Sequence, residues 1–298
     1  MKVVCVGHST FDTTLPTKEY PTENIKYRLD HHIECGGGPA SNGAYLLAKW
    51  GMDTTIASAV GDDYYGERVI ADFEKVGADT SYLEKVPNHM TTSSYIIANM
   101  SNGSRTILSV KDDPIRKLSN SLCIPADVIL IDGEHPESAH ELLDSNPRAL
   151  SVLDAGRLND DTIALGKKVT YLVCSKEFAE DFTNKKIDIN DIEALNNIYN
   201  ELKDSFGNNV VITLEAAGSY TEIDGVGQII PSISVKALDS TGAGDIFHGA
   251  FTYFIANGYS LLDTIHYSSI TSAISVTRIG SRYSIPLFDE VINYDTAI

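Results

Sequence analysis

Six short apolar runs, most of them separated by stretches with helical spacing, constrain this chain more than any other feature. They cover residues 3–6, 55–60, 128–131, 150–153, 171–173 and 210–214. Runs of this length, rich in valine, isoleucine and leucine, read as strands buried on both faces. Helical periodicity lies between many of them, at 137–143, 160–167 and 190–203. Alternation of this kind predicts a parallel sheet with helices on both sides. Such sheets bind ligands beyond the C-terminal ends of their strands. With 298 residues the chain has room for one large α/β domain and a small appendage.

Two stretches break the rhythm. Residues 13–34 show little helical pattern and many β-compatible residues. Residues 92–98 and 105–110 flank Asn102-Gly103 and read as a hairpin, because an Asn-Gly turn suits the twist of paired strands. The expectation is a small β-sheet lid from 13–35 and 91–110. It would cover an α/β domain made of 1–12, 36–90 and 111–298. The other reading is two long surface excursions.

The formal net charge of −18 argues against nucleic acid or an anionic membrane as a partner. A polyanionic ligand would need locally focused positive groups or a metal. Cys5, Cys35, Cys123 and Cys174 lie far apart with no C-x-x-C pair, so neither a zinc site nor a disulfide framework is expected. The N-terminal apolar run is too short for a signal peptide, and no segment reaches membrane-helix length. These features predict a cytoplasmic protein.

The residues Asp239-Ser240-Thr241-Gly242-Ala243-Gly244-Asp245 precede an apolar helix pattern that stops at Asn257-Gly258. A glycine loop opening a helix is an anion site, since free N–H groups and the helix dipole both favour negative charge. Asp245 sits inside it. The carboxylate is either a dipole-compensating group in an ordinary cap, or a base that takes a proton while the amides hold a transferring phosphoryl group. No Gly-Lys-Ser/Thr follows, so this is not a Walker loop, and the glycine spacing is not that of a dinucleotide fingerprint.

Three further strand ends carry polar or glycine-rich residues. Asp12 follows the first strand, where it can cap a turn or accept hydrogen bonds from two hydroxyls of a polyol. Gly36, Gly37 and Gly38 precede a helix and permit close backbone approach, with Asn42 in its first turn as a cap or a pocket residue. Gly61-Asp62-Asp63 is another strand-to-helix turn.

In this order the pieces resemble the ribokinase-like (PfkB) carbohydrate kinase family over essentially the whole chain. The most specific parts are the block from Gly37 to Asn42 and the block from Asp239 to Asp245. The resemblance implies a Rossmann-like three-layer α/β/α fold with a small β-sheet lid. It implies transfer of the γ-phosphoryl group of ATP to a hydroxyl of a small sugar, with Mg2+ and K+ as cofactors. Asp245 would be the catalytic base, with Gly242, Ala243 and Gly244 as the anion hole. Asp12, Gly37, Gly38, Asn42 and Glu134 would hold the substrate. Thr213, Gly218 and Ser269 would contact the nucleotide, and Glu177 would support magnesium through water. Asp239, Thr241, Gly280 and Ser284 match a monovalent-cation loop.

The chain departs from the family at several positions. Cys174 replaces the asparagine of N-x-x-E, Glu215 the first glycine of T-x-G-x-x-G, Thr10 an asparagine and Pro39 a lysine. The first two bear on the nucleotide and the last two on ribose. Carboxylates at Asp12 and Glu134 would repel a substrate already phosphorylated. The expectation is therefore a kinase of an unphosphorylated sugar. The alternatives are a nucleoside kinase of the same family or a degenerate sugar-sensing paralogue. Exposed lid edges predict a homodimer through the lid.

Overall fold

The computed structural model describes residues 1–294. Its strands in chain order are β1 (Lys2–Val6), β2 (Thr10–Thr17), β3 (Ile33–Gly37), β4 (Asp53–Gly61), β5 (Asp79–Val86), β6 (Ser93–Asn99) and β7 (Ser104–Val110). These are followed by β8 (Val128–Ile131), β9 (Leu150–Ala155), β10 (Tyr171–Ser175), β11 (Asn209–Thr213), β12 (Ser219–Ile223) and β13 (Val226–Ile230). The helices are α1 (Pro39–Lys49), α2 (Tyr64–Lys75), α3 (Pro136–Ser145), α4 (Asp160–Gly166), α5 (Lys176–Thr183), α6 (Ile192–Phe206), α7 (Ala243–Ala256), α8 (Leu261–Val276), α9 (Ser281–Ser284) and α10 (Phe288–Ile292).

The large sheet has nine strands in the order β13-β12-β11-β10-β9-β8-β1-β4-β5. Its pairs from β11 through β5 are parallel, and β12 and β13 close one edge antiparallel. Side chains alternate across it. Val4 and Val6 face a core with Leu142, Leu165, Phe178 and Leu195, from α3, α4, α5 and α6. Val3 and Cys5 face the opposite core with Leu47, Phe73, Phe251 and Ile265, from α1, α2, α7 and α8. Both faces are dry, which is why these strands read as continuous apolar runs. The six strands expected from sequence are present. β5, β12 and β13 were not anticipated, because residues such as Glu84, Lys85 and Glu222 interrupt any apolar run on these edges.

From β1 the chain moves first to β4 and β5 on one side and later to β8 and beyond on the other. That reversal opens a crevice at the C-terminal end of β1. The second sheet has the order β3-β2-β6-β7. Its β6–β7 hairpin pairs antiparallel from Ser93↔Val110 to Asn99↔Ser104, with Gly103 at φ 73° in the turn. Asp12, placed by sequence just past the first strand, stands inside β2, because β1 ends at Val6 and the chain re-enters a sheet at Thr10. No helix of the described residues is long and apolar enough to cross a membrane.

Candidate active site

The first turn of α7 is built by two glycines with different tasks. Gly242 caps the helix at φ 73°, and a Cβ there would lie 2.9 Å from that of Ser281. Only glycine adopts this conformation without strain. Gly244 has no such φ, and an added Cβ would meet nothing within 4 Å. It faces open space. The Ala243 N–H is turned to Ser240 O at 3.3 Å, so of the residues assigned to the anion hole it is the one already engaged. The N–H groups of Gly244 and Asp245 have no acceptor among the described residues and are the orphan donors of a helix start.

Asn42 Nδ2 donates to Asp245 Oδ2 at 2.8 Å, joining the two blocks across 203 positions of sequence. Burial pushes the Asp245 carboxyl up, and the Asn42 hydrogen bond and then His248 pull it back. Asn42 Oδ1 is buried with no hydrogen-bond donor, an unmet acceptor beside Asp245.

Asp12 is buried on β2 and accepts from Thr10 Oγ1 at 2.8 Å. Loss of hydration raises its carboxyl to about 6. Gly37 stands on the neighbouring strand, where a Cβ would fall 2.0 Å from Asp12 Oδ2, and a Cβ on Gly38 would fall 2.1 Å from His8 O. Glu134 lies beyond β8 and lines a pocket with His8, Thr92, Lys111 and His135. Its N–H donates to Asp132 Oδ1 at 2.9 Å. Asp132 Oδ2 accepts from the N–H groups of His8 and Ala40, both at 2.9 Å. This carboxylate ties the end of β1 to the start of α1. Sequence reading missed it, since a lone Asp after a strand has no local signature.

On the nucleotide side, Thr213 ends β11 with its hydroxyl donating to Cys174 O at 3.3 Å. Glu215 adopts φ 53°, in the left-handed region that favours glycine, and its side chain is exposed. The departure at this position therefore strains the backbone and turns its charge outward. Glu215 borders an open groove with Lys176, Glu177, Glu180 and Lys186. The Cys174 side chain is buried in the core and burial pushes its thiol up to about 12, so that position offers the groove no polar ligand. Gly218 at φ 108° brings its backbone against β13, where a Cβ would meet Ile230 O at 2.1 Å. Ser269 is buried in α8, one turn before Ser272, whose hydroxyl donates to Ala243 O at 3.0 Å.

Behind the glycine turn, Asp239 Oδ1 accepts from Thr241 N at 2.9 Å and Thr241 Oγ1 at 2.6 Å, and Oδ2 accepts from Gly280 N at 2.9 Å. The structure thus gathers Asp239, Thr241 and Gly280, while the Ser284 hydroxyl is turned to Ser281 O at 2.7 Å. Both nearby arginines point elsewhere. Arg278 pairs with Glu290 at 2.5 Å. Arg282 is buried with its guanidinium 4.3 Å from the Phe73 ring centroid and 3.8 Å from Asp72.

Two other residues enter the site unannounced by sequence. Arg105 reaches from β7 to Ser240 Oγ at 2.9 Å and lowers the Asp245 carboxyl by its charge. His248 is buried directly under the loop, with Nδ1 2.6 Å from Gly244 O.

A nine-stranded α/β domain thus carries a small second sheet and a carboxylate in the first turn of α7. The chain belongs to the pfkB family of carbohydrate kinases, whose model matches residues 1–287, and is a phosphotransferase with an alcohol group as acceptor. It is 29% identical to a ribokinase of Schizosaccharomyces pombe over 98% of this chain and 96% of that one. It is 24% identical to a deoxyribokinase of Salmonella typhi over 99% and 98%. The fold is shared with an Arabidopsis thaliana ribokinase complexed with ribose and ATP, at TM-score 0.79, 19% identity and coverage of 98% and 97%.

Proposed function

We propose that this chain transfers the γ-phosphoryl group of ATP to a hydroxyl of a small unphosphorylated sugar, with Asp245 as the base. The observation that carries the reading is the Asp245 carboxylate, bonded to Asn42 at a helix start whose Gly244 faces open space. A sugar hydroxyl beside Asp245 would lose its proton to the carboxylate as its oxygen attacks phosphorus. The N–H groups of Gly244 and Asp245 would meet the charge that develops on the phosphoryl oxygens, and Arg105 adds a cation from the lid. Asp12, Glu134 and the unmet Asn42 Oδ1 would take the remaining sugar hydroxyls, held in place by the close packing at Gly37 and Gly38. The kinship with ribokinases and a deoxyribokinase favours a pentose. The Thr10 hydroxyl, engaged with Asp12, leaves the ribose pattern at one point.

Thr213, Gly218 and Ser269 are assigned to the nucleotide side. Glu177, exposed at the mouth of its groove, would hold magnesium through water, and the ion would neutralise the phosphate charge. Asp239, Thr241, Gly280 and Ser284 offer carboxylate, hydroxyl and backbone oxygens, the hard donors an alkali cation accepts, and a K+ there would brace the Gly242 turn. Exposed Ile107, Leu108 and Val110 on the edge strand β7 favour a homodimer through the lid. Light scattering that gives a monomer at micromolar concentration would remove it.

The test is Mg-ATP turnover with D-ribose, 2-deoxy-D-ribose, ketohexoses and nucleosides in potassium buffer, for wild type and Asp245→Asn. We expect a pentose to turn over and the variant to lose about 10²–10⁴ in kcat with substrate binding kept. Turnover of a nucleoside alone would reassign the substrate. Thermal stabilisation by a sugar without turnover would mark a sensor and overturn the kinase reading.

A further inference from the structure

The ring of His248 has a hydrogen-bond acceptor at each nitrogen. Nδ1 lies 2.6 Å from Gly244 O and 3.2 Å from Asp154 Oδ2, and Nε2 lies 3.1 Å from Val173 O. Backbone carbonyls carry no proton to give. A neutral imidazole would therefore point a lone pair at one of them, whereas an imidazolium donates at both positions. The residue is buried, and so is Asp154 at the end of β9. A buried cation needs a partner, and Asp154 is placed to supply it.

We propose that His248 is a buried imidazolium, neutralised by Asp154, and that it serves as a positioning residue for phosphoryl transfer by gripping the Gly244 peptide and keeping Asp245 in its basic form. The inference rests on the kinase reading above for the reaction it serves. The grip works through geometry. The Gly244–Asp245 peptide has its carbonyl end, Gly244 O, held by the His248 ring, while its other end, the Asp245 N–H, has no acceptor among the described residues. Fixing one end of the peptide fixes the direction of the other. The charge works through proximity. The groups facing this pocket besides His248 are Asp154 from β9, Asp245 on α7 itself, Asp132 after β8, Asp12 from β2 and Arg105 from β7, so around Asp245 three carboxylates stand against the two cations His248 and Arg105. Removing the His248 cation would leave Asp154, Asp132 and Asp245 to repel one another, and Asp245 would hold its proton to higher pH.

Three measurements test this, two of them independent of any substrate. Ring 15N shifts of His248, assigned by their loss in His248→Asn, should show both nitrogens protonated at pH 7.5. A neutral-tautomer pattern there would overturn the proposal. The 13C titration of the Asp245 carboxyl, assigned with Asp245→Asn, should move up by about one pH unit in His248→Asn. An unmoved midpoint overturns it. With D-ribose or 2-deoxy-D-ribose and Mg-ATP, the acid limb of kcat should move up with that midpoint while sugar KM changes less than about threefold. A lower Tm with an unshifted acid limb is what a merely structural histidine gives, and refutes the positioning role. If no sugar or nucleoside of the panel turns over, the kinase reading fails, and the two titrations still decide the charge on His248 and its hold on Asp245. If His248→Asn does not fold, the 15N pattern of wild type decides alone, assigned through Asp154→Asn.

Discussion

Gly244→Ala separates the chemistry of the loop from its folding. Gly244 is the second residue of α7, its φ is not left-handed, and an added methyl would touch no neighbour within 4 Å. Alanine at a compatible position stabilises by about 0.4–1 kcal/mol, because the unfolded chain loses freedom. With about 2.1 cal/mol/K of unfolding entropy per residue, a chain of this size should gain about 1–2 °C in Tm. The methyl would nevertheless fill the space beside the Gly244 N–H, where a phosphoryl oxygen would arrive in the proposed transfer. Loss of one such donor costs about 10²–10³ in kcat. Scanning calorimetry and initial rates with a turned-over sugar should therefore show a protein at least as stable as wild type and nearly inactive. Gly242→Ala is the contrast. With φ 73° and Ser281 at 2.9 Å, it should lose about 1–2 kcal/mol as well as activity. A folded Gly244→Ala with kcat within about threefold of wild type would refute the assignment of this loop.

Asp12 is held protonated to a higher pH in the fold than in the unfolded chain, about 6 against about 3.9. The stability this contributes is present below about pH 4 and lost as pH rises through 6, so Asp12→Asn should gain about 2–3 kcal/mol on wild type between pH 4 and pH 7 in urea unfolding; a difference that stays flat with pH would contradict the burial argument. Glu177→Gln should raise the Mg2+ concentration for half-maximal rate, and an unchanged magnesium titration would count against an indirect carboxylate contact. Potassium should raise kcat more than it alters sugar KM, compared with a non-coordinating organic cation at equal ionic strength, and equal rates in the two buffers would sink the cation loop.

The parallel sheet was legible because strands dry on both faces write uninterrupted valine and isoleucine into the chain, and the β6–β7 hairpin because Asn102-Gly103 spells its turn. The site blocks were legible where backbone geometry demands glycine, as at Gly37, Gly38 and Gly242. What sequence hid is the set of charged groups whose partners come from other strands. Asp132, Arg105, His248 and Arg282 acquire meaning only when the end of β1, the loop before α7, β9 and α2 are brought beside them. The strand that carries Thr10 and Asp12 was hidden differently. It is too polar for an apolar run, although both residues are buried.

The hairpin turn bears on how the lid can vary. Gly103 O accepts from Ser240 N at 3.1 Å, and a Cβ on Gly103 would lie 2.5 Å from that of Ala237. The tip of β6–β7 thus rests on the chain leading into the glycine loop. Each residue added to a strand lengthens it by about 3.4 Å, more than this hydrogen bond can stretch. The reach of the hairpin is therefore set by the loop it touches, and an insertion between residues 99 and 104 would lift the lid off it. The segment of residues 18–32 is mostly exposed, and an insertion there should disturb the glycine loop less than one between residues 99 and 104.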